Sequence, residues 1–232
     1  GYQDLYAPFI KALKTNRLPL SLRIDSVGFG RSAFKNLLRK WVLRKLYQPF
    51  SQFLTTGKAG YQLLDSLGIP RAKQGWFPYC IDNSLFEVAP TVNIRTQLNI
   101  PGDAYVVLGV CKFNDRENPL ELVKAFMALG NENAHLVMVG DGEQRGLLES
   151  ESGALLGQRI HFPGYVSYSL LPSYYHAADL FVHPAFYEPW GVSVQEAIAS
   201  GCAVIASSKV GSGFVLVEAG KNGFQYTAGN AA

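Results

Sequence analysis

The sequence predicts a doubly wound α/β fold for residues 99–232, and three observations carry that prediction. Short β-rich apolar runs alternate with stretches of helical period, the pattern of βαβ units feeding one parallel sheet. The runs are apolar nearly throughout rather than at every second position, as in strands covered on both faces. Glycines and charged residues gather where strands give way to helices, and in such a sheet that edge is where ligands bind.

Each element follows in order. AYVVLGVC (104–111), AHLVMVG (134–140), RIHFPG (159–164), DLFVHP (179–184) and AVIAS (203–207) read as strands. PLELVKAFMAL, EQRGLLES, SLLPSYYHAA and VSVQEAIASG read as the helices between them. Residues 1–98 are less regular and read as the later part of a second α/β domain. A helix (LYAPFIKALKTN) leads to a strand (LPLSLRIDSV), then to a basic amphipathic helix from about Ser32 to Leu54. The strand FLTTG, the helix AGYQLLDSLG and the segment GWFPYCIDN come next, and residues 82–101 read as the crossing between domains.

Composition narrows the function. Hydrophobic residues make up 48% of the 232 and charged residues 17%, which is globular. A net charge of +3 does not argue for a nucleic-acid partner. Cys80, Cys111 and Cys202 are scattered, giving neither a disulfide framework nor a metal cluster, so a reducing compartment is expected. No apolar run approaches the ~18 residues of a spanning helix, and no signal peptide is visible.

Three strand ends carry candidate chemistry. EPWGVSVQE places Glu188 at the mouth of a strand and Glu196 inside the next helix, around a Pro189-Trp190-Gly191 turn. Gly191 would let a ligand approach the backbone, and the N–H groups after it, from Val192 on, would suit a phosphate. Glu196 would suit the paired hydroxyls of a ribose; taken alone, the pair also reads as a turn acid and a solvated helix acid. Lys112 and Arg116 bracket the loop before PLELVKAF, fit to neutralise a diphosphate or merely to sit in a solvated loop. Gly140-Asp141-Gly142 forms a tight turn that would either flank a flat base or serve only as a turn. All three loops lie at one edge of one predicted sheet, and together they suit a diphosphate, a ribose, a base and a sugar. A dinucleotide enzyme is disfavoured, because VGDGEQ lacks the third glycine of G-x-G-x-x-G.

The ordered set of motifs resembles the retaining GT-B glycosyltransferases of family 4. It comprises the Lys112 loop, VGDGE, FPGYV, LLPSYYHAADLFVHP, the E-x7-E of EPWGVSVQE, ASGCAVIAS, VGSG and EAGKNGF. The resemblance implies a Rossmann-like donor domain over residues 99–232 and a partial acceptor-side domain over 1–98. It implies that Glu196 takes the ribose and Glu188 the donor sugar. Gly191 and Val192 would offer backbone N–H groups, the loop at Tyr165 and Val166 would edge the base, and Lys112 and Arg116 would meet the diphosphate. The reaction implied is transfer from a nucleoside-diphosphate sugar with retention, needing no cofactor and no metal. Glu117 stands where the family usually has a second diphosphate-binding lysine, and Arg116 beside it is the candidate substitute. Gly201-Cys202-Ala203 replaces a common Gly-x-Pro, and Val215 stands where an acid is common. Asp25, within LRIDS, occupies the place of a histidine that faces the donor sugar; it would orient hydroxyls there, or simply cap a turn.

The resemblance also implies a sugar or lipid-linked acceptor, a role in polysaccharide or glycolipid assembly, and a cytoplasmic location. RSAFKNLLRKWVLRKLYQPF (31–50) sets Phe34, Leu37, Leu38, Trp41 and Leu46 among six cations. Two readings stay open for it: docking on an anionic inner membrane face, or covering the N-terminal sheet with its cations solvated. A rival to the enzyme reading is a non-catalytic nucleotide-sugar-binding fragment or accessory subunit.

Overall fold

A computed structural model describes residue 8, residues 10–13, residue 15, and residues 18–25 and 33–229. Two compact units follow one another, up to Tyr79 and from Cys80 on.

In the first unit β1 (Ser21–Ile24), β2 (Gln52–Thr55) and β3 (Gln74–Trp76) form a parallel sheet in that order. α1 (Ala33–Tyr47) links β1 to β2, and α2 (Lys58–Ser66) precedes β3. Ile24, Phe53, Leu63, Leu64 and Leu67 make the core, with Leu43 and Tyr47 of α1 packed on it. α1 stops seven residues short of the expected Leu54, because Pro49 disfavours helical backbone at Gln48. Its inward residues are not the expected apolar set: Leu37, Leu38, Trp41 and Leu46 are all exposed. Arg31 and the side chains of Phe34 and Lys35 lie outside the described residues, as do Ser26 and Val27 at the end of the expected first strand.

The second unit opens with two short helices, α3 (Asn83–Glu87) and α4 (Ile94–Gln97), in the stretch expected to be a crossing. Phe86 and Ile94 bury them against the sheet. The rest alternates as predicted: β4 (Tyr105–Val110), α5 (Pro119–Leu129), β5 (Ala134–Val139), α6 (Arg145–Ser152), β6 (Ile160–Gly164), α7 (Leu171–Ala177), β7 (Leu180–His183), α8 (Val192–Ala199) and β8 (Ala203–Ser207). A four-residue helix, α9 (Gly213–Leu216), and an edge strand, β9 (Gly223–Tyr226), complete it.

All six strands are parallel, in the order β6-β5-β4-β7-β8-β9. Successive strand residues face opposite layers. Val106, Leu108, Val137 and Val139 point to one core, Val107, Leu136 and Met138 to the other. The chain runs outward from β4 to β6, then returns to lay β7 on β4's other side. The loops after β4 and β7 therefore leave in opposite directions, and the gap between them is the topological switch point where doubly wound sheets bind ligands.

Candidate active site

Two hydrogen bonds to backbone carbonyls, one from a backbone N–H and one from a side-chain amide, hold that gap in shape. The Phe186 N–H, after β7, donates to the Arg116 carbonyl, after β4, at 2.9 Å. The Asn118 amide lies 3.4 Å from the Pro184 carbonyl.

Arg116 projects between the two loops. Its Nη1 donates to Glu188 Oε2 at 3.0 Å, and its Nη2 donates to the Glu117 carboxylate. The guanidinium is partly exposed, whereas the Glu117 side chain is only 6% exposed. Burial, then the nearby Glu188 charge, pushes the Glu117 carboxyl up to about 7, against the opposing pull of Arg116 and Lys112. His183, the last residue of β7, is fully buried and held down to about 4, first by burial and then by Arg116. Its Nδ1 has no hydrogen-bond partner among the described residues. No metal-ligand set was legible in the sequence, yet ligand atoms of Glu117, His183 and Glu188 lie within 4.8 Å of one another. Both carboxylates are already bound to the Arg116 guanidinium, which is the cation they hold.

The turn after Glu188 is fixed by close backbone approach. Gly191 sits at φ +87°, and a Cβ there would come within 2.8 Å of a Val210 methyl. Ser212 Oγ donates to the Gly191 carbonyl at 2.8 Å, and the Gly211 N–H donates to the Glu188 carbonyl at 3.0 Å. Trp190 is buried and donates from its indole to Gln195 at 2.6 Å. Among the described residues no side chain caps α8, so the N–H groups at its start, Val192 first, have no side-chain acceptor.

On the other side of β4, a cavity of about 410 Å³ opens beyond the ends of β4, β5 and β6. Lys112, Gly140, Asp141, Tyr165 and Val166, all singled out in the sequence, line it, with Tyr168 and Cys111. Gly140 is obligatory: a Cβ would stand 1.9 Å from the Cys111 carbonyl oxygen. Asp141 is turned back on its own loop, accepting from the Gly142 N–H at 2.7 Å and from Arg145 at 3.2 Å. Tyr165 is 85% exposed at the rim.

Glu196 is not the solvated helix acid that its motif allowed. It is 5% exposed and accepts from the buried Tyr175 hydroxyl at 2.8 Å. Burial raises its carboxyl above the ordinary range, and the Tyr175 and Tyr168 hydroxyls oppose that. Tyr168 thus connects the cavity lining to Glu196. Neither tyrosine stood out in the sequence, where YVSYSLLPSYY reads only as a loop and an aromatic helix; His183, after strand DLFV, is the one histidine that the sequence places near the site, and there it reads as structural.

Asp25 belongs to the first unit. It accepts from the Thr56 hydroxyl at 3.2 Å and from the Tyr79 hydroxyl, so it is a partnered acid at a strand end. Arg23 stacks above the Tyr79 ring at 4.4 Å.

A parallel sheet of this order with a cleft at its switch point defines a class, and solved structures show which. The Anabaena HepE structure in complex with UDP superposes with a TM-score of 0.84 at 23% identity, covering 99% of this chain and 64% of that one. Sucrose-phosphate synthase from Thermosynechococcus elongatus gives 0.74 at 26% identity, covering 92% and 56%. The fold is of the GT-B glycosyltransferase type.

Residues 91–232 match the family described as glycosyl transferases group 1, and the chain belongs to it. A lipopolysaccharide core biosynthesis glycosyltransferase of Rhizobium meliloti is 34% identical over 129 residues, 55% of this chain and 36% of the relative. The lipopolysaccharide 1,2-N-acetylglucosaminetransferase of Salmonella typhimurium is 36% identical over 141 residues, with coverages of 55% and 36%. The aligned segment thus spans about a third of these curated relatives.

Proposed function

We propose that the protein containing this chain is a retaining, family 4 glycosyltransferase that moves a sugar from a nucleoside-diphosphate sugar to a sugar or lipid-linked acceptor. The observation that carries this reading is the junction at the switch point. A nucleoside-sized cavity carrying Lys112 adjoins a loop pair that presents Arg116, Glu188 and the uncapped start of α8. The base would enter between Tyr165, Val166 and Gly140, with the ribose on Glu196. Lys112, Arg116 and the N–H groups at Gly191 and Val192 would stabilise the departing diphosphate as its charge grows. Glu188 would hold the sugar hydroxyls. These fixed cations and dipoles supply the electrostatic work, and the reading calls on no metal or cofactor. The names of the relatives support polysaccharide or glycolipid assembly as the setting.

Proton NMR of nucleotide-sugar turnover tests it: an α-linked donor must first give the α-anomer of the product. Initial release of the β-anomer would exclude retention. Nucleotide binding without turnover would favour the accessory-fragment reading, to which the buried acid Glu117 also lends weight.

A membrane-borne acceptor is favoured by α1. Leu37, Leu38, Trp41, Val42 and Leu46 are exposed on one broad arc, with Arg39, Arg44 and Lys45 in the same helix and no acid in it. That chemistry fits the inner, anionic membrane face. No helix of the described residues is long and apolar enough to cross a membrane. Flotation with anionic but not neutral liposomes, reduced in Trp41→Glu, is the expected result; equal flotation with both would remove the membrane from the account.

A further inference from the structure

Glu117 is the side chain in the cleft that ordinary packing explains least. A carboxylate taken out of water loses its hydration, and a second carboxylate beside it adds repulsion. Glu117 has both burdens, being buried and close to Glu188. Its backbone N–H is already satisfied without the side chain, donating to Asn114 Oδ1 at 3.0 Å. Arg116 and Lys112 offset this only in part, and a buried acid held in such a conflict inside a cleft is a candidate functional position.

What Glu117 touches is Arg116. An arginine on a loop samples many rotamers, and holding one of them costs side-chain entropy. Here both terminal nitrogens are taken, Nη2 by Glu117 and Nη1 by Glu188 at 3.0 Å, with the Tyr187 carbonyl 3.5 Å away. A planar fork gripped by two acids has a fixed plane, and its remaining N–H groups point where the acids do not. The Arg116 side chain is 43% exposed and that of Glu117 6%, so the cation is the member of the pair that faces solvent.

We infer that Glu117 is a positioning residue, clamping the Arg116 guanidinium against Glu188 so that its free edge meets the diphosphate of the donor. This rests on the donor-site reading above. It also makes a prediction whose sign is unusual. If Glu117 were only an acid near the diphosphate, neutralising it would tighten diphosphate binding. If it positions Arg116, neutralising it weakens binding.

The test is calorimetric titration of UDP and uridine into the full chain and its Glu117→Gln, Arg116→Gln and doubly substituted forms, with GDP and guanosine and ADP and adenosine in parallel. Glu117→Gln is expected to weaken the diphosphate roughly 10-fold, the scale of one charge-assisted hydrogen bond. Nucleoside affinity should not move, which a damaged fold would not allow. The double variant should bind no more weakly than Arg116→Gln alone, since Glu117 acts only through Arg116. Unchanged or tighter diphosphate binding by Glu117→Gln, or losses that multiply in the double variant, would overturn the inference while leaving the donor site standing. A wild-type chain that binds no nucleotide and no nucleoside would remove the donor site, and the inference with it.

Discussion

Arg116 and Glu188, on loops that follow two different strands, meet at 3.0 Å across the switch point of the sheet. The first acid of EPWGVSVQE is therefore held by a cation from β4's loop and by its own turn, before any donor arrives. Preorganisation of this kind is what electrostatic catalysis requires, because the groups need not rearrange as charge develops. Arg116→Gln should lower kcat/KM for the nucleotide sugar roughly 100-fold, the scale of one lost transition-state donor. Steady-state kinetics within about 3-fold of wild type would place the guanidinium outside the reaction path.

Stability should carry the mark of Glu117. Its carboxyl titrates near 7 in the folded chain and from 4.5 without the fold, so the folded state binds more protons between those values. Arg116, Lys112 and Glu188 face it, with His183 and Cys111 close by. Folding stability attributable to this group then falls as pH rises from about 4.5 to about 7 and is flat above. Glu117→Gln should match wild type near pH 4.5 and be more stable at pH 8, by up to about 3 kcal/mol. Urea unfolding at the two pH values measures this; equal differences at both would mean that the carboxyl is not perturbed.

Tyr175→Phe removes the hydroxyl that donates to buried Glu196 at 2.8 Å. Losing a hydrogen bond to a charged, buried acceptor costs about 2 kcal/mol. The loss should be larger at pH 8 than at pH 5, because burial raises the Glu196 carboxyl and protonation removes the charge that the hydroxyl supports. Denaturant unfolding of both forms at both pH values checks the sign. A loss that does not change with pH would mean that the hydroxyl does not support the charge.

Gly191→Ala faces both a left-handed backbone and a methyl contact with Val210 at 2.8 Å. The strain should cost about 2 kcal/mol, lowering Tm by roughly 4–8 °C for a chain of this size. It should also move the N–H groups at the start of α8. Calorimetric melting with no shift in Tm would show that the turn tolerates a side chain.

The second unit was the more legible because its signals are local. Five apolar runs and the helices between them each overlap an observed element, most by one to three residues too many, and glycines mark the turns at Gly140 and Gly191. What escaped was short or depended on partners distant in sequence. β3 has three residues and β9 is an edge strand containing Gly223, so neither presents a long apolar run. α3 and α4 are single turns stabilised by Phe86 and Ile94 in the core rather than by helical period. For α1 the sequence left two readings open, because periodicity shows that apolar residues share a face, not which way that face turns. At the site, spacing revealed Glu188 and Glu196 but not their partners. Arg116 reaches Glu188 only because β4 and β7 are neighbours, and Tyr175 reaches Glu196 only because α7 packs beside α8.

The most direct test of the account is whether this chain binds one nucleoside diphosphate through Glu196. UDP, GDP and ADP would be titrated calorimetrically into wild type and Glu196→Ala. The account predicts that one of the three binds the wild type and binds the variant at least about 10-fold more weakly, the scale of one lost charge-assisted hydrogen bond. Absence of binding by all three, or equal binding by the variant, would contradict it.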